Sequence, residues 1–284
     1  MLWDMLPTGK QAGGAPMNVA VHLKNLGLNP QIISRVGDDE LGEEIVQFAT
    51  QKGLTTDLIQ HGKTHLTGIA KANVSDKNEV TYKLVHPVAW DYITHDEAVE
   101  KAVENSEVFV FGSLIARSKE SRETLEHLLK KAKFKLFDVN LRIPFYDQET
   151  VEKLLAKADM VKMNSNELDL ISAWNDKDLD ERTAILSIAK RFNIKTICVT
   201  RGENGAILWT NEKFYEHQGF TVEVTDTIGS GDAFLAALLK GLLTKNELAE
   251  CLNFACAMGA VVATFQGATP IVLEEDVNEF LNRY

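Results

Sequence analysis

The spacing of apolar and polar positions changes period several times along this chain. After Pro16, Val19, Leu23 and Leu26 recur at helical spacing, and Gly27 closes that helix. Gln31 to Val36 is a short apolar-rich run ending at Gly37-Asp38-Asp39, which predicts a strand. Leu41 to Gln51 predicts a helix stopped by Gly53. From Leu58 to Val85 the pattern becomes two short alternating segments, 67–74 and 79–84, separated by Ser75-Asp76-Lys77-Asn78. That is a hairpin pattern, and it predicts a small sheet separate from the rest. Beyond it, strands at 107–112, 135–140, 160–163, 196–200 and 206–209 alternate with helices at 121–133, 150–157 and 180–192. Such alternation predicts a parallel sheet covered on both faces. Open sheets of this kind bind ligands beyond the C-terminal ends of their strands. Polar residues stand at those ends here: Asp138-Val139-Asn140-Leu141-Arg142, Asn164-Ser165-Asn166-Glu167, and Thr200-Arg201-Gly202-Glu203-Asn204-Gly205.

One loop carries the most specific chemistry. Asp226-Thr227-Ile228-Gly229-Ser230-Gly231-Asp232 leads straight into the apolar run Ala233 to Leu239. A glycine turn feeding a buried helix aims free N–H groups and the positive end of the helix dipole at one point, which suits a phosphate. Asp232 beside that point can take the proton from an attacking hydroxyl. As plain structure, Asp232 is a good N-cap and the glycines serve a tight turn. A second glycine cluster, Gly13-Gly14-Ala15-Pro16-Met17-Asn18, opens the first helix and favours the chemical reading. Its glycines allow close approach of a ligand, and Asn18 lies in the first helical turn.

Together the two segments resemble the signatures of the ribokinase-like (PfkB) carbohydrate kinases, and the likeness runs from Leu2 to about Pro270. The family's usual Thr-Gly-Ala-Gly is here Ile228-Gly229-Ser230-Gly231, with both glycines and Asp232 kept. The resemblance implies a three-layer α/β/α sandwich with a mostly parallel central sheet and a small β-sheet lid. It implies one kinase domain over 1–284, with lid elements at about 5–14 and 58–86. Asp232 would be the base, with the amides of Gly229, Ser230 and Gly231 holding charge on the transferring phosphoryl group. Asp4, in Trp3-Asp4-Met5-Leu6-Pro7, takes the position that binds sugar hydroxyls, a role for which a carboxylate is well suited. Gly13, Gly14 and Asn18 would line the same pocket, and Lys83 and Arg142 are its candidate cations. Arg142 as a surface ion pair fits the sequence equally.

Further residues follow from the same resemblance. Asn164 and Glu167 match an Asn-x-x-Glu motif whose glutamate acts on Mg²⁺ through water, which suits an ion slow to shed its waters. A capped helix with Glu167 in its first turn fits them as well. Thr200, Gly202 and Gly205 match the loop along the nucleotide phosphates. Adenine would sit between the segment around Val222 and the helix that runs from Asn253 to Ala263. Asp226 matches a K⁺-binding position of some relatives. The implied co-substrates and ions are thus ATP, Mg²⁺ and K⁺, and the implied assembly is a homodimer formed through the lid.

The expected reaction is ATP-dependent phosphorylation of a sugar's primary hydroxyl, with D-fructose first. Gly-Gly-Ala-Pro-x-Asn preceded by Trp-Asp-x-Leu-Pro is most like bacterial fructokinases, and a lysine usual in ribokinases is absent. 2-Keto-3-deoxygluconate kinase is the alternative, through Lys83 or Arg142. A silent sugar or nucleotide sensor on the same fold is the non-enzyme alternative, which the kept Asp232 opposes. A Rossmann dehydrogenase lacks its early Gly-x-Gly-x-x-Gly.

Composition narrows this little further. A net charge of −11 disfavours nucleic acid and anionic membranes as partners. Three cysteines without framework spacing predict buried thiols and a cytoplasmic location. Met1 to Pro7 reads as the end of a strand entering a loop. Members of the resembled family begin with a full strand about eight residues earlier, whose loss would deprive its neighbours of ladder bonds and buried apolar area.

Overall fold

The structure is a computed structural model and describes residues 1–6, 9–74 and 80–284. The chain runs β1 (Leu2–Leu6), β2 (Gly9–Gly13), α1 (Ala15–Asn25), β3 (Ser34–Gly37), α2 (Glu40–Gln51), β4 (Ile59–Gly62), β5 (Ile69–Val74) and β6 (Val80–Leu84). It continues with α3 (Glu97–Asn105), β7 (Phe109–Gly112), α4 (Lys119–Leu129), β8 (Lys135–Asp138), α5 (Gln148–Leu155), β9 (Met160–Asn164), α6 (Ser165–Ala173) and α7 (Glu181–Phe192). Then come β10 (Thr196–Thr200), β11 (Ala206–Thr210), β12 (Lys213–His217), α8 (Ser230–Leu243), α9 (Leu248–Ala263) and α10 (Glu274–Leu281).

The largest sheet has the order β12-β11-β10-β9-β8-β7. Its strands from β7 to β10 are parallel, and β11 and β12 add an antiparallel edge. Strand alternation splits its apolar residues between two layers. Leu136, Met160 and Cys198 pack on α8 and α9, while Phe137, Val161 and Ile197 pack on α4, α5 and α7. This is the expected three-layer sandwich. The thiols of Cys198, Cys251 and Cys256 are buried and unbridged, and no helix among the described residues is long and apolar enough to cross a membrane.

The parallel strands fall into two groups. β3 and β4 form a parallel pair of their own. An apolar groove of about 500 Å³ lies beside β7, lined by that strand, by residues 28–33 ahead of β3 and by helices on either side.

The lid is a four-stranded sheet of order β2-β1-β5-β6. Its hairpin β5–β6 matches the alternation in the sequence; the expected turn at 75–78 lies outside the described residues. Two expectations are corrected. Residues 2–6 form a lid strand and not a strand end entering a loop, because Trp3 and Met5 pack against the apolar cluster of Met17, Val36 and Ile45. Residues 59–62 belong to β4, paired with β3 and not with the lid.

Candidate active site

The anion loop is built by a glycine that nothing else could replace. Gly229 caps α8 with φ 81°, and a side chain there would meet the backbone of Ala268. The N–H of Ser230 donates to Thr227 O at 3.2 Å, so it is not free as expected. The N–H groups of Gly231 and Asp232 have no backbone partner among the described residues and share the positive end of α8.

The segment that backs Gly229 is fixed from α1 and α2. The buried His22 ring bonds Ala268 O at 2.9 Å, and the Lys52 ammonium donates to Thr269 O at 2.8 Å. Asp226 completes this brace, accepting from Ile228 N and Gly267 N at 3.0 Å each. Its first role is therefore to shape the loop; each oxygen retains a lone pair that a K⁺ ion could use.

The two glycine clusters meet through one hydrogen bond. Asn18 Nδ2 donates to Asp232 Oδ2 at 2.8 Å, across 214 positions of sequence. Asn18 is buried in α1, one turn after Gly14, whose φ of 109° starts that helix. Asn18 Oδ1 and Ser230 Oγ are buried without a partner among the described residues. Unpaired buried polar atoms are costly, so these two are free to bond polar groups of a ligand.

Asp4 reaches the same place from the lid. A side chain at Gly13 would collide with its carboxylate, and one at Gly14 would crowd the Met1 backbone at 3.3 Å. Burial pushes Asp4 up to about 6, partly opposed by the charge of Arg142. Burial also pushes Asp232 up to about 6; Asp138 adds to the rise, while Lys162, Asn18 and Arg142 oppose it. Arg142, exposed on the loop after β8, thus lies near enough for its charge to act on both carboxylates. Lys83 does not join them. It is exposed on β6 opposite Lys71, itself opposite Met5, and so lies on the lid face away from Asp4.

Beneath the anion loop is a charge the sequence reading missed. Lys162 on β9 is buried, its ammonium 3.0 Å from Asp138 Oδ1 on β8 and 3.6 Å from the point where a Gly231 side chain would begin. Burial works against its charge, but Asp138, Asp232 and Glu167 together hold its pKa above the ordinary lysine value. The signal was present in the sequence: a lysine inside Met160-Val161-Lys162-Met163 has no place in an apolar strand without a partner.

This arrangement can be set beside known proteins. The model of the pfkB family carbohydrate kinases matches residues 7–275. The chain belongs to that family. It is 30% identical over 278 residues to a fructokinase of Solanum tuberosum, covering 94% of this chain and 84% of that protein. Among solved structures, the sugar kinase PH1459 of Pyrococcus horikoshii, in complex with ATP, is similar at 26% identity with a TM-score of 0.82, covering 98% of this chain and 97% of that one. A fructokinase of Xylella fastidiosa with bound ATP shares the fold at 24% identity and a TM-score of 0.87, over 100% of this chain and 95% of its own.

The remaining predicted residues of this carbohydrate kinase are placed as follows. Asn164 and Glu167 form a capping box on α6: Asn164 Oδ1 accepts from Glu167 N at 2.9 Å, and Glu167 Oε2 from Asn164 N at 2.9 Å. Glu167 Oε1 also accepts from Leu141 N at 2.8 Å, and burial raises its pKa. The capped-helix reading is what forms, and each oxygen keeps a lone pair for a water held by a cation. Thr200 ends β10 beside this cap, with Ser165 Oγ donating to its carbonyl at 3.4 Å. The turn after it closes through Arg201 N to Gly205 O at 2.8 Å, with Gly202 and Gly205 at φ 60° and 79°. A side chain at Gly205 would strike the backbone of His217 and Gly219. Val222 lines a surface hollow of about 490 Å³ with Val261, Thr264 and Phe265. Asn253, two turns earlier on α9, lies beside the His217 ring and is not in the lining of that hollow.

Proposed function

We propose that this carbohydrate kinase transfers the γ-phosphoryl group of ATP to the primary hydroxyl of a free hexose, D-fructose first. The observation that carries the reading is the Asn18–Asp232 hydrogen bond, with the unpartnered Asn18 Oδ1 beside it. Asn18 Nδ2 fixes the carboxylate, and Asn18 Oδ1 accepts a second sugar hydroxyl. With its pKa near 6, Asp232 is ionised at pH 7 yet basic enough to take the proton as the C6 oxygen attacks phosphorus. The O–P bond forms, the bond from phosphorus to the β-phosphate oxygen breaks, the proton rests on Asp232, and ADP leaves. The N–H groups of Gly231 and Asp232 stabilise the charge growing on the phosphoryl oxygens.

Glu167 would hold a Mg²⁺ ion through water on its remaining lone pairs. Such an ion, when bound, neutralises phosphate charge. Thr200, Gly202 and Gly205 would follow the nucleotide phosphates, with the base near Val222.

Two things favour a neutral sugar over a sugar acid. The charge of Arg142 is already offset by Asp4 and Asp232, and Lys83 lies on the other face of the lid. Relatives named fructokinase point the same way. The test is ADP release with D-fructose, D-glucose, D-ribose and 2-keto-3-deoxygluconate. Fructose should give the highest kcat/KM. Preference for the keto-acid would overturn the substrate, and nucleotide binding without turnover on any sugar would favour a sensor.

Asp4→Ala should raise the KM for the sugar by about 10²-fold, as expected for two lost hydrogen bonds to a charged acceptor. The KM for ATP should hold. Equal losses for both, measured in the same assay, would count against Asp4 as a sugar ligand.

A further inference from the structure

Away from the phosphoryl-transfer site, three metal-ligating side chains converge where α3 meets α4. His95 stands just ahead of α3, Glu100 lies in its first turn, and His127 lies in the last turn of α4. Asp96 caps α3 by accepting from Val99 N at 2.9 Å, and Val99, Val103 and Leu128 belong to one apolar cluster under the two helices. The ligands therefore come from elements that packing already fixes. One nitrogen of each ring and one carboxylate oxygen all lie within 4.8 Å of one another.

A single oxygen is the centre of the group. His95 Nδ1 is hydrogen-bonded to Glu100 Oε1 at 2.9 Å. His127 Nε2 lies 2.9 Å from the same oxygen, but it is not aligned for a hydrogen bond and is buried with no such partner among the described residues. A buried ring nitrogen left in that state is costly. The two rings stack with centroids 4.0 Å apart and planes 10° apart, so protonating both would set like charges face to face. A dication held by neutral rings removes both difficulties. His95 would bind as the tautomer protonated on Nε2, and His127 as the one protonated on Nδ1. Donors about 2.1 Å from a tetrahedral ion stand about 3.4 Å apart, which small side-chain movements reach from the present spacing. Lys131 opposes the ion. Its ammonium lies 3.6 Å from Glu100 Oε2 and 2.9 Å from Glu104 Oε1. It thus occupies the oxygen the ion does not need, and Glu104 can keep it when the ion binds.

We propose that His95, Glu100 and His127 form a site for one transition-metal dication of the zinc type, with water in the fourth position, which staples α3 to α4. Two imidazoles and a carboxylate suit such an ion, whereas Mg²⁺ takes oxygen ligands. None of the three residues belongs to the candidate active site, so the ion stabilises the fold and is not needed for turnover. Its ligands come from two helices, so it binds the folded chain and not the unfolded one.

The test is calorimetric titration of the untagged chain with zinc chloride in excess Mg²⁺, which occupies sites made of oxygen alone. One zinc ion should bind per chain. The double variant His95→Gln, His127→Gln should bind it more than about 100-fold more weakly, since loss of one outer-shell partner alone costs about 10–100-fold. Lys131→Gln removes the repelling ammonium and should tighten binding severalfold. Zinc at about 100 times its dissociation constant should raise the wild-type Tm by about 5 °C and leave that of the double variant unchanged. The kcat of the two proteins with Mg²⁺ and ATP should be equal. Zinc binding undiminished in the double variant would place the ion elsewhere and overturn the proposal. So would the absence of saturable zinc binding by the wild-type chain.

Discussion

Asp232→Asn should lower turnover by about 10²–10⁴-fold, the usual contribution of a general base, while the KM for the sugar stays close to that of the wild type. Asn keeps the shape of the residue and an acceptor for Asn18 Nδ2, but it cannot hold the proton. The same substitution should stabilise the fold. Asp232 has a folded pKa of about 6, above its ordinary 3.8, so its ionisation is disfavoured in the native state. That penalty is absent below pH 4, where both states are protonated, grows between 4 and 6, and is full above 6. Thermal melts should therefore show the variant more stable at pH 7 and equal to wild type near pH 4. In the wild type, kcat should fall as pH drops below about 6, and the acidic limb should vanish in the variant's residual activity. A variant with ordinary turnover at pH 7 would reduce Asp232 to a helix residue and remove the proposed mechanism.

The local parts of this site were legible and their assembly was not. Gly229 and Gly14 show in the sequence because backbones at φ 81° and 109°, packed against other backbone, have no other residue to use. Asn18 was readable as a first-turn residue, but no spacing rule brings it to Asp232. That meeting depends on α1 packing against α8, a tertiary event. The β11–β12 hairpin went unseen because its turn, Asn211-Glu212, takes positive φ at both residues without a glycine to announce it. β4 was assigned to the lid because a four-residue strand has the same alternation whichever sheet accepts it. Lys83 failed for a related reason: alternation gives the period of a strand, but register decides which face meets the pocket. Glu167 shows the reverse. Capping and cation binding were open readings of one motif, and the carboxylate's two backbone bonds show that the cap is formed whether or not an ion is present.

The second large effect concerns Lys162, whose ammonium stands between Asp138 and the base of the anion loop. Lys162→Met keeps the length of the side chain and removes its charge. Asp138 is then left buried without its cation, a loss that typically costs about 3–5 kcal/mol, so Tm should fall by many degrees. Asp232 loses the nearby positive charge that opposes its raised pKa, so the acidic limb of kcat should move above pH 6. Restoring only the electrostatic balance should reverse both effects. Adding Asp138→Asn removes the stranded charge and also the group that pushes Asp232 upwards, so the double variant should regain stability and its limb should return towards that of the wild type. If Lys162→Met lowers Tm but leaves the limb in place, Lys162 serves packing of the sheet alone. A limb that moves in the single variant and returns in the double one ties the buried pair to the protonation state of the base.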